Sequence, residues 1–365
     1  MVKIGLIAEY NPLHNGHKYH FNKIKELYKD SIVITILSSE FSQRGNLCVF
    51  NKFIRTRHSL LLGSDLVLSN PIYYSMNNAS TFAYSNIFFL NKCKVDIIVA
   101  GSESADTKQL DEIFNLENSQ EFKNKLNENL SLGYSFKLAY TKSLEFFNIS
   151  IKSNDLLNYF YYKAIKEINP KIKLVLIKRI NNDYRDENVN SSSIQSATSI
   201  RKLENISKYV PEFVNNDFTK YNFRDINKLN DLIKYSFINP SNLVREDSEG
   251  LSNRFKNISF ENYSFLLEIT KTKRYSESKL NRYIISNLLD IKSNDINYEN
   301  YIRVLGFNEK GKKLLNDIKK DVVVYTNIKE GINEAFDLEI KADKILDIVY
   351  KENLLIQDLK GPIKM

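Results

Sequence analysis

The sequence predicts an α/β fold: a doubly wound parallel sheet in its first half, followed by a mainly α-helical region. Five short apolar runs in the first half alternate with segments of helical spacing, a pattern typical of parallel strands joined by right-handed helical crossovers. After about residue 205 the segments become charged and amphipathic. A chain of 365 residues is long enough for two domains. We therefore predict a first domain over residues 1–205 and a second over residues 206–365.

Each strand of the first half is predicted from an apolar run of the length of a buried strand. The runs cover residues 4–8, 32–37, 65–68, 96–100 and 173–177. Helices are predicted between them, for example over residues 52–62, 79–90 and 155–168. In the second half, helical segments are predicted over residues 225–236, 259–269, 276–289 and 298–305, and a short strand over residues 322–325. Residues 188–193 are expected to form a loop.

Two histidines, His14 and His17, lie three residues apart directly after the first predicted strand, with Gly16 between them. Apolar residues recur at helical spacing after them, so this turn joins a strand to a helix. Free backbone N–H groups and the helix dipole attract phosphate at such a turn, and Gly16 permits a close backbone approach. The favoured ligand is a nucleoside triphosphate. The alternative, histidines that form only local hydrogen bonds, is disfavoured because three of the four histidines of the chain lie at this turn.

Composition limits the class of protein and of partner. The net charge of +8 favours a polyanionic partner, although the abundance of Lys could also reflect coding bias. No apolar run approaches the roughly 20 residues of a membrane span, and no export signal opens the chain. Cys48 and Cys93 lack disulfide or metal-ligand spacing and are expected to be buried thiols in a reducing compartment. We expect a soluble, cytoplasmic protein.

Two motifs resemble those of a known superfamily. Residues 9–17, EYNPLHNGH, resemble the HxGH signature of the nucleotidyltransferase superfamily, whose Rossmann-like domain of the HUP type also builds class I aminoacyl-tRNA synthetases. Its second motif, S-x-T-x-I-R, is matched by residues 196–201, SATSIR. Taken alone, this second segment is equally explained as a helix cap. The order and distance of the two motifs strengthen the resemblance.

Nearly end to end, the chain is similar to the bacterial tRNA(Met) cytidine acetate ligase family. The matching segments are FSQRG (41–45), GSD (63–65), GSE (101–103), SND (153–155), KRI (178–180), EGL (249–251), TKRY (272–275) and RVLGF (303–307). The last three separate this family from its relatives. The resemblance implies catalysis by His14 and His17. It also implies an ATP site formed by Ile7, Ala8, Glu9, Tyr10, Asn11, Pro12, Leu13, His14, Asn15, Gly16, His17, Lys18, Tyr19, His20, Gly101, Asn154, Arg179, Thr198 and Arg201.

Several of these residues also have ordinary structural explanations. His20 is at least equally well explained as a partly exposed helix residue. Without the resemblance, the favoured explanations are a turn glycine for Gly101, a helix cap for Asn154 and a surface cation for Arg179. Residues 43–45 and Lys52 resemble family positions close to the nucleotide or the RNA. These are expectations that the structure can test.

The resemblance further implies a two-step reaction. Acetate and ATP would form acetyl-adenylate, and the exocyclic amine of the wobble cytidine of elongator tRNA(Met) would then take the acetyl group to give N4-acetylcytidine. Mg²⁺ is expected with the triphosphate, with no protein ligand assigned. Basic residues of the second domain are predicted to follow the RNA backbone. They are Lys271, Lys273, Arg274, Lys279 and Arg282.

Two alternatives remain open. A nucleotidylyltransferase acting on a small phosphate-bearing cofactor precursor shares the histidine turn, but such enzymes are commonly shorter and lack a long basic region. A non-catalytic protein that binds nucleotide and RNA is disfavoured by the intact motifs at residues 14–17 and 196–201. The sequence predicts no oligomeric state.

Overall fold

The computed structural model describes residues 1–179, 193–238, 244–247, 250–256, 258–293 and 296–365. The strands are β1 (Val2–Ala8), β2 (Ser31–Ser38), β3 (Leu66–Asn70), β4 (Ile97–Ser102), β5 (Lys173–Lys178), β6 (Tyr301–Phe307), β7 (Val323–Tyr325) and β8 (Ile363–Lys364). The helices of the first half are α1 (Asn15–Leu27), α2 (Lys52–Leu62), α3 (Ile72–Ser75), α4 (Ala79–Lys92), α5 (Thr107–Glu117), α6 (Gln120–Ser131), α7 (Phe136–Phe146) and α8 (Ser153–Ile168).

The helices of the second half follow a short helix at the SATSIR segment. They are α9 (Ala197–Ile200), α10 (Glu212–Tyr221), α11 (Asn230–Ile238), α12 (Leu251–Phe255), α13 (Tyr263–Thr270), α14 (Glu277–Leu289), α15 (Glu309–Ile318), α16 (Glu334–Tyr350) and α17 (Leu354–Lys360). Within the described ranges, no helix is long and apolar enough to cross a membrane. The expected loop at residues 188–193 lies outside the described residues except for Ser193, as do Ile180 and Glu249 of the quoted segments.

One mixed sheet organises the described residues, in the order β5-β4-β1-β2-β3-β6-β7, with β8 beside β6. The five strands predicted from the first half are all present and parallel, which confirms the α/β class. The chain runs outward from β1 to β2 and β3 on one side, and to β4 and β5 on the other. Ligands of such sheets bind beyond the carboxyl ends of the strands, where this direction reverses. The reversal lies between β1 and β4.

The predicted helix over residues 298–305 is wrong. These residues enter β6, which pairs antiparallel with β3 and makes the sheet mixed rather than purely parallel. The charged, amphipathic character of this segment suggested a helix, but its Arg303 side chain is 2% exposed and pairs with the buried Asp358. The predicted short strand is confirmed as β7, and the helices predicted from 225–236, 259–269 and 276–289 are also present. The domain division at residue 205 stays a prediction, with strands from both sides sharing one sheet.

A buried cluster of charges joins α2 to the C-terminal helices. Lys52 Nζ is fully buried and lies 2.6 Å from Asp343 Oδ2 and 3.1 Å from Asp358 Oδ2. Glu339 completes the cluster, 3.7 Å from Lys52 and 3.8 Å from Arg303. The expectation that Lys52 lies near the nucleotide or the RNA is therefore wrong, because its ammonium group is enclosed by carboxyl groups of α16 and α17.

Candidate active site

A cavity of about 340 Å³ lies at the carboxyl ends of β1, β4 and β5, where the order of the sheet reverses. Its walls come from the turn and first residues of α1, the end of β4, the first turns of α8 and the end of β5. The lining residues are Ile7, His14, Gly16, His17, Tyr19, His20, Ile98, Val99, Ala100, Gly101, Asn154, Leu157, Asn158, Tyr161, Ile177, Lys178, Arg179, Ile194, Gln195 and Ser196. Its position and size suit a small-molecule ligand such as a nucleotide.

Backbone hydrogen bonds fix the orientation of both histidines. His14 caps α1, and its Nδ1 accepts a hydrogen bond from the Gly16 N–H at 3.1 Å. The His17 Nδ1 accepts in turn from the His14 N–H at 3.2 Å, and the two rings stack with centroids 3.7 Å apart. A neutral imidazole with an accepting Nδ1 carries its proton on Nε2. The pair therefore lines the cavity as two neutral hydrogen-bond donors.

The surroundings keep these imidazoles unprotonated. Burial and the positive charge of Arg179 lower the pKa of His14 to about 3. The pKa of His17 also falls well below its usual value, because of burial first, and then because a protonated His17 would be repelled by Arg179 and by His14 or His20 whenever these are protonated. Burial lowers the pKa of His20 to about 4, although its hydrogen bond with the Ala100 backbone acts in the opposite direction. The site thus offers donors that do not change charge near neutral pH.

We expect the ring-proton NMR signals of His14 to stay constant between about pH 5 and pH 8, the range in which an unburied histidine titrates. The folded protein resists protonation at His14 while the unfolded chain does not. The free energy of unfolding should therefore fall as the pH drops below 6.5, the ordinary histidine pKa. Single His→Gln variants assign the signals. A His14 titration centred near the ordinary pKa would contradict this account.

The wall opposite the histidines is held by a reciprocal pair of carboxylates. Asp155, which is 3% exposed, accepts hydrogen bonds from the backbone N–H groups of Glu103 and Ser104, both at 3.0 Å. The Glu103 carboxylate accepts in return from the Asp155 N–H at 3.1 Å and from the Asn154 amide. The predicted residues Gly101 and Asn154 therefore lie on a rigid junction between β4 and α8.

Arg179 supplies positive charge at the rim of this cavity. It directly follows β5, and its backbone N–H donates to the Ser102 carbonyl at 2.8 Å. A Cβ added to Gly101 would stand 3.4 Å from the Arg179 Cγ, so the arginine stem lies directly against the glycine. The guanidinium is close enough to lower the pKa values of His14, His17 and His20. The predicted triad of Gly101, Asn154 and Arg179 is thus brought together with the histidines.

The SATSIR segment touches the histidine turn through its arginine. Arg201 Nη1 donates to the Asn11 carbonyl at 2.7 Å, and Nη2 donates to Thr198 Oγ1 at 3.1 Å. The Asn15 amide binds the same region through the carbonyls of Ser193 and Lys208, at 3.1 and 3.0 Å. Arg201 therefore holds the loop between β1 and α1 and is itself bonded to Thr198. Neither residue lines the cavity, whereas Ser196 does.

The structure divides the predicted site residues into two groups. Nine line the cavity: Ile7, His14, Gly16, His17, Tyr19, His20, Gly101, Asn154 and Arg179. Ten lie outside its lining: Ala8, Glu9, Tyr10, Asn11, Pro12, Leu13, Asn15, Lys18, Thr198 and Arg201. Several of the second group are packed or bonded within the protein; Leu13, for example, is fully buried in the core. Nucleotide binding by all nineteen stays a prediction.

Sequence reasoning missed the α8 side of the cavity. Leu157, Asn158 and Tyr161 line it together with Asn154. They follow Asn154 by three, four and seven residues, the spacing that places side chains on one helix face. Their helical spacing from Asn154 is the feature of the sequence that could have identified these three residues. The Asn158 amide also donates to the Gly101 carbonyl at 3.1 Å, which holds the end of β4 against α8.

The basic residues predicted to follow the RNA backbone differ in their exposure. Arg282 was predicted to follow RNA phosphates, but it is 8% exposed and its Nε lies 2.6 Å from Glu246 Oε1, so the structure contradicts that role. Lys271 lies 3.7 Å from Glu277 and remains exposed, as do Lys273 and Arg274.

Among the described residues, no three His, Cys, Asp or Glu side chains are grouped as a metal site.

The fold and the histidine turn define a HIGH-type nucleotidyltransferase: residues 1–360 match the family model described as HIGH Nucleotidyl Transferase. A tRNA(Met) cytidine acetate ligase of Caldicellulosiruptor saccharolyticus is 37% identical over 96% of this chain and 95% of its own length. One from Fusobacterium nucleatum is 36% identical over 91% and 90%. The chain therefore belongs to the tRNA(Met) cytidine acetate ligase family, which confirms the resemblance seen in its sequence.

A solved structure supports the same assignment. The crystal structure of Thermotoga maritima TmcAL bound with alpha-thio ATP superimposes with a TM-score of 0.86 at 26% identity, and the match covers 100% of both chains. The two chains therefore share one fold along their whole length. The Thermotoga protein binds an ATP analogue.

Proposed function

We propose that this chain uses ATP to ligate acetate to the wobble cytidine of elongator tRNA(Met), which gives N4-acetylcytidine. The observation that carries the proposal is the pair of neutral donors, His14 and His17, at a nucleotide-sized cavity on the reversal point of the sheet. The naming of its relatives as tRNA(Met) cytidine acetate ligases supports the substrates. The ATP analogue bound by the Thermotoga protein supports ATP.

In the first step an acetate oxygen attacks the α-phosphorus of ATP. The bond from that phosphorus to the oxygen bridging to the β-phosphate breaks, and pyrophosphate leaves with the electron pair. Negative charge grows on the α-phosphate and on the leaving group during this step. The Nε2–H groups of His14 and His17 would donate to this charge, and donors already in place need no reorganisation. Their neutrality is set by the burial and by the charge of Arg179.

The two walls of the cavity would divide the recognition of ATP between them. Gly101, Asn154 and Asn158 form a rigid, uncharged surface on the β4 and α8 side, suited to the nucleoside. Arg179 offers a guanidinium whose planar fork matches phosphate oxygens. Mg²⁺, where it accompanies the triphosphate, would be held mainly by phosphate oxygens and water, which is its usual mode with nucleotides.

In the second step the cytidine amine attacks the acetyl carbon of the adenylate. The bond from that carbon to the phosphate oxygen breaks, AMP leaves with the electron pair, and the amine loses a proton. The base must be unstacked to enter a cavity of this size, as happens in loops recognised by RNA-binding proteins. The exposed residues Lys271, Lys273 and Arg274 are placed to attract the RNA backbone before the first turn of α14.

The first step can be tested without RNA. We expect the purified protein to exchange labelled pyrophosphate into ATP only when acetate is present, because the reversal of adenylation requires the acetyl-adenylate. Exchange in the absence of acetate would indicate that a group other than acetate accepts the adenylyl group from ATP. Absence of exchange, with nucleotide still bound, would favour a non-catalytic binding protein.

Replacing Arg179 by glutamine should raise the KM for ATP in this exchange by roughly 10- to 100-fold, the loss expected for a charge-assisted hydrogen bond. The reason is that the guanidinium lies over Gly101 at the rim of the cavity. Lys173→Gln is the matched control, since it removes one exposed positive charge from the opposite end of β5. Equal KM values for the two variants would exclude Arg179 from nucleotide binding.

A further inference from the structure

We infer that α14 positions the catalytic histidine turn through a tight loop, residues 41–47, and that Asn281 of α14 is a positioning residue for adenylation. This loop, here called the bridging turn, lies between β2 and α2. It contacts α14 through Gly45 and Asn46, and the residue after β1 through Gln43. The inference rests on the proposed function for its kinetic consequence, and on atomic contacts within the protein for its structural one.

The tip of the bridging turn touches the backbone of α14. Gly45 adopts φ +78°, and a Cβ added there would lie 2.6 Å from the Arg282 backbone nitrogen and 2.7 Å from the Asn281 carbonyl carbon. Helix backbone atoms cannot yield individually, so only glycine fits at this contact. Beside it, Asn281 Nδ2 donates to Asn46 Oδ1 at 3.1 Å. The turn is therefore seated directly on α14.

Asn281 is itself fixed in orientation. It is 2% exposed, and its Oδ1 accepts a hydrogen bond from the Tyr263 hydroxyl at 2.9 Å. Because the hydroxyl donates to the oxygen, the amide nitrogen must face Asn46. A buried amide with both ends engaged holds a single rotamer. The position of the bridging turn is thus determined by α13 and α14 together.

The turn is stiffened by hydrogen bonds within it. The Ser42 N–H donates to the Asn46 carbonyl at 2.8 Å, and the Gly45 N–H donates to the Ser42 carbonyl at 2.9 Å. The Ser42 hydroxyl also accepts from the Asn46 N–H at 3.1 Å. Within this turn, the Gln43 N–H donates to Glu9 Oε1 at 2.6 Å, and the Gln43 amide donates to the Asn77 carbonyl at 2.6 Å. A displacement at the tip is therefore carried to Glu9.

Glu9 opens the loop that carries the histidines. The next residue, Tyr10, has φ 46° and packs the edge of its ring against His17 with centroids 5.0 Å apart. A chain of direct contacts thus runs from Asn281 through the bridging turn and Glu9 to the catalytic ring. The nucleoside wall on β4 and α8 is built by other residues, Gly101, Asn154 and Asn158. Loosening the turn should disturb the chemical step more than the binding of ATP.

Asn281→Ala should lower kcat for acetate-dependent pyrophosphate exchange by roughly 10- to 100-fold, the scale of a misplacement of about 1 Å at a reacting group, and leave the KM for ATP nearly unchanged. Asn287→Ala is the matched control on the same helix. That residue is 4% exposed and its amide donates to Ser236 Oγ at 2.8 Å, so it loses a similar buried hydrogen bond without a link to the histidine turn. Asn46→Asp keeps an oxygen that can accept the hydrogen bond from Asn281 and should retain activity. Asn46→Ala removes this acceptor and should lower the activity.

A second readout does not depend on activity. The ring signals of His17 should shift in Asn281→Ala and stay in place in Asn287→Ala. Unchanged His17 signals in Asn281→Ala, or equal kcat values for the two alanine variants, would overturn the inference. A wild-type protein without acetate-dependent exchange would instead count against the proposed function, and the His17 signals would then decide the positioning role alone.

Discussion

His17→Ala is expected to lower the rate of acetate-dependent pyrophosphate exchange by about 100- to 1,000-fold, the cost of removing one donor from a developing negative charge. The His17 ring stacks on His14 and accepts the His14 N–H, so its Nε2–H is held toward the cavity. Alanine removes that donor and leaves no side chain to replace it. Steady-state exchange with saturating ATP measures the loss.

The cap of α1 should survive this substitution, because the His14 Nδ1 still accepts from the Gly16 N–H. The melting temperature and the binding of tRNA should therefore stay close to those of the wild type. An exchange rate near the wild-type value in a folded His17→Ala protein would remove the imidazole from the chemistry. It would also favour a protein that only binds nucleotide and RNA.

Lys52→Met should have the largest effect on stability, with a loss of about 3–5 kcal/mol in the free energy of unfolding, as for other buried ion pairs that lose one partner. Methionine has a similar length but no charge. Lys52 is fully buried beside Asp343, Asp358 and Glu339. Without the ammonium group, Arg303 alone faces the negative charges. Urea denaturation monitored by circular dichroism measures the change.

The protonation of this cluster explains why one lysine matters so much. Burial raises the pKa of Asp343 well above its usual value, although the charge of Lys52 acts in the opposite direction. Burial alone would also raise the pKa of Asp358, but the charges of Lys52 and Arg303 outweigh it and lower that pKa to about 2. Lys94→Met is the control, because Lys94 pairs with Asp321 at the surface, where both side chains are more than half exposed. Such a pair contributes little, and equal losses for the two variants would contradict the account.

Local sequence signals predicted the part of the fold that holds the histidines. The apolar run before Glu9 and the helical spacing after His17 were enough to place a strand, a turn and a helix. The SATSIR segment was expected to share the nucleotide site with this turn, which stays a prediction, and the contact of its arginine with the Asn11 carbonyl was not predicted. That contact joins residues 190 positions apart, and a hydrogen bond to a backbone carbonyl leaves no trace in the sequence pattern.

Long-range pairing of charges explains what the sequence did not predict. Lys52 was expected near the nucleotide or the RNA, and the charged segment around Arg303 was predicted as a helix. Both side chains are instead buried, which charged residues seldom are without partners. Their partners, Asp343 and Asp358, lie on helices whose packing could not be predicted from local patterns. β6 was mistaken for a helix because the pairing of its Arg303 in the interior cannot be seen in the local sequence pattern. Asn281 was also overlooked as a positioning residue, since its role depends on a glycine more than 230 positions earlier.

The most direct test of the central claim is incubation of the purified protein with ATP, radiolabelled acetate and total bacterial tRNA, followed by mapping of the labelled nucleoside. We predict label at the wobble cytidine of elongator tRNA(Met), lost in His17→Ala. Acetate-dependent pyrophosphate exchange without label in RNA would support adenylation but contradict cytidine as the acceptor. A folded protein that binds ATP but shows no pyrophosphate exchange and no label in RNA would contradict the assignment of this chain as an acetate ligase.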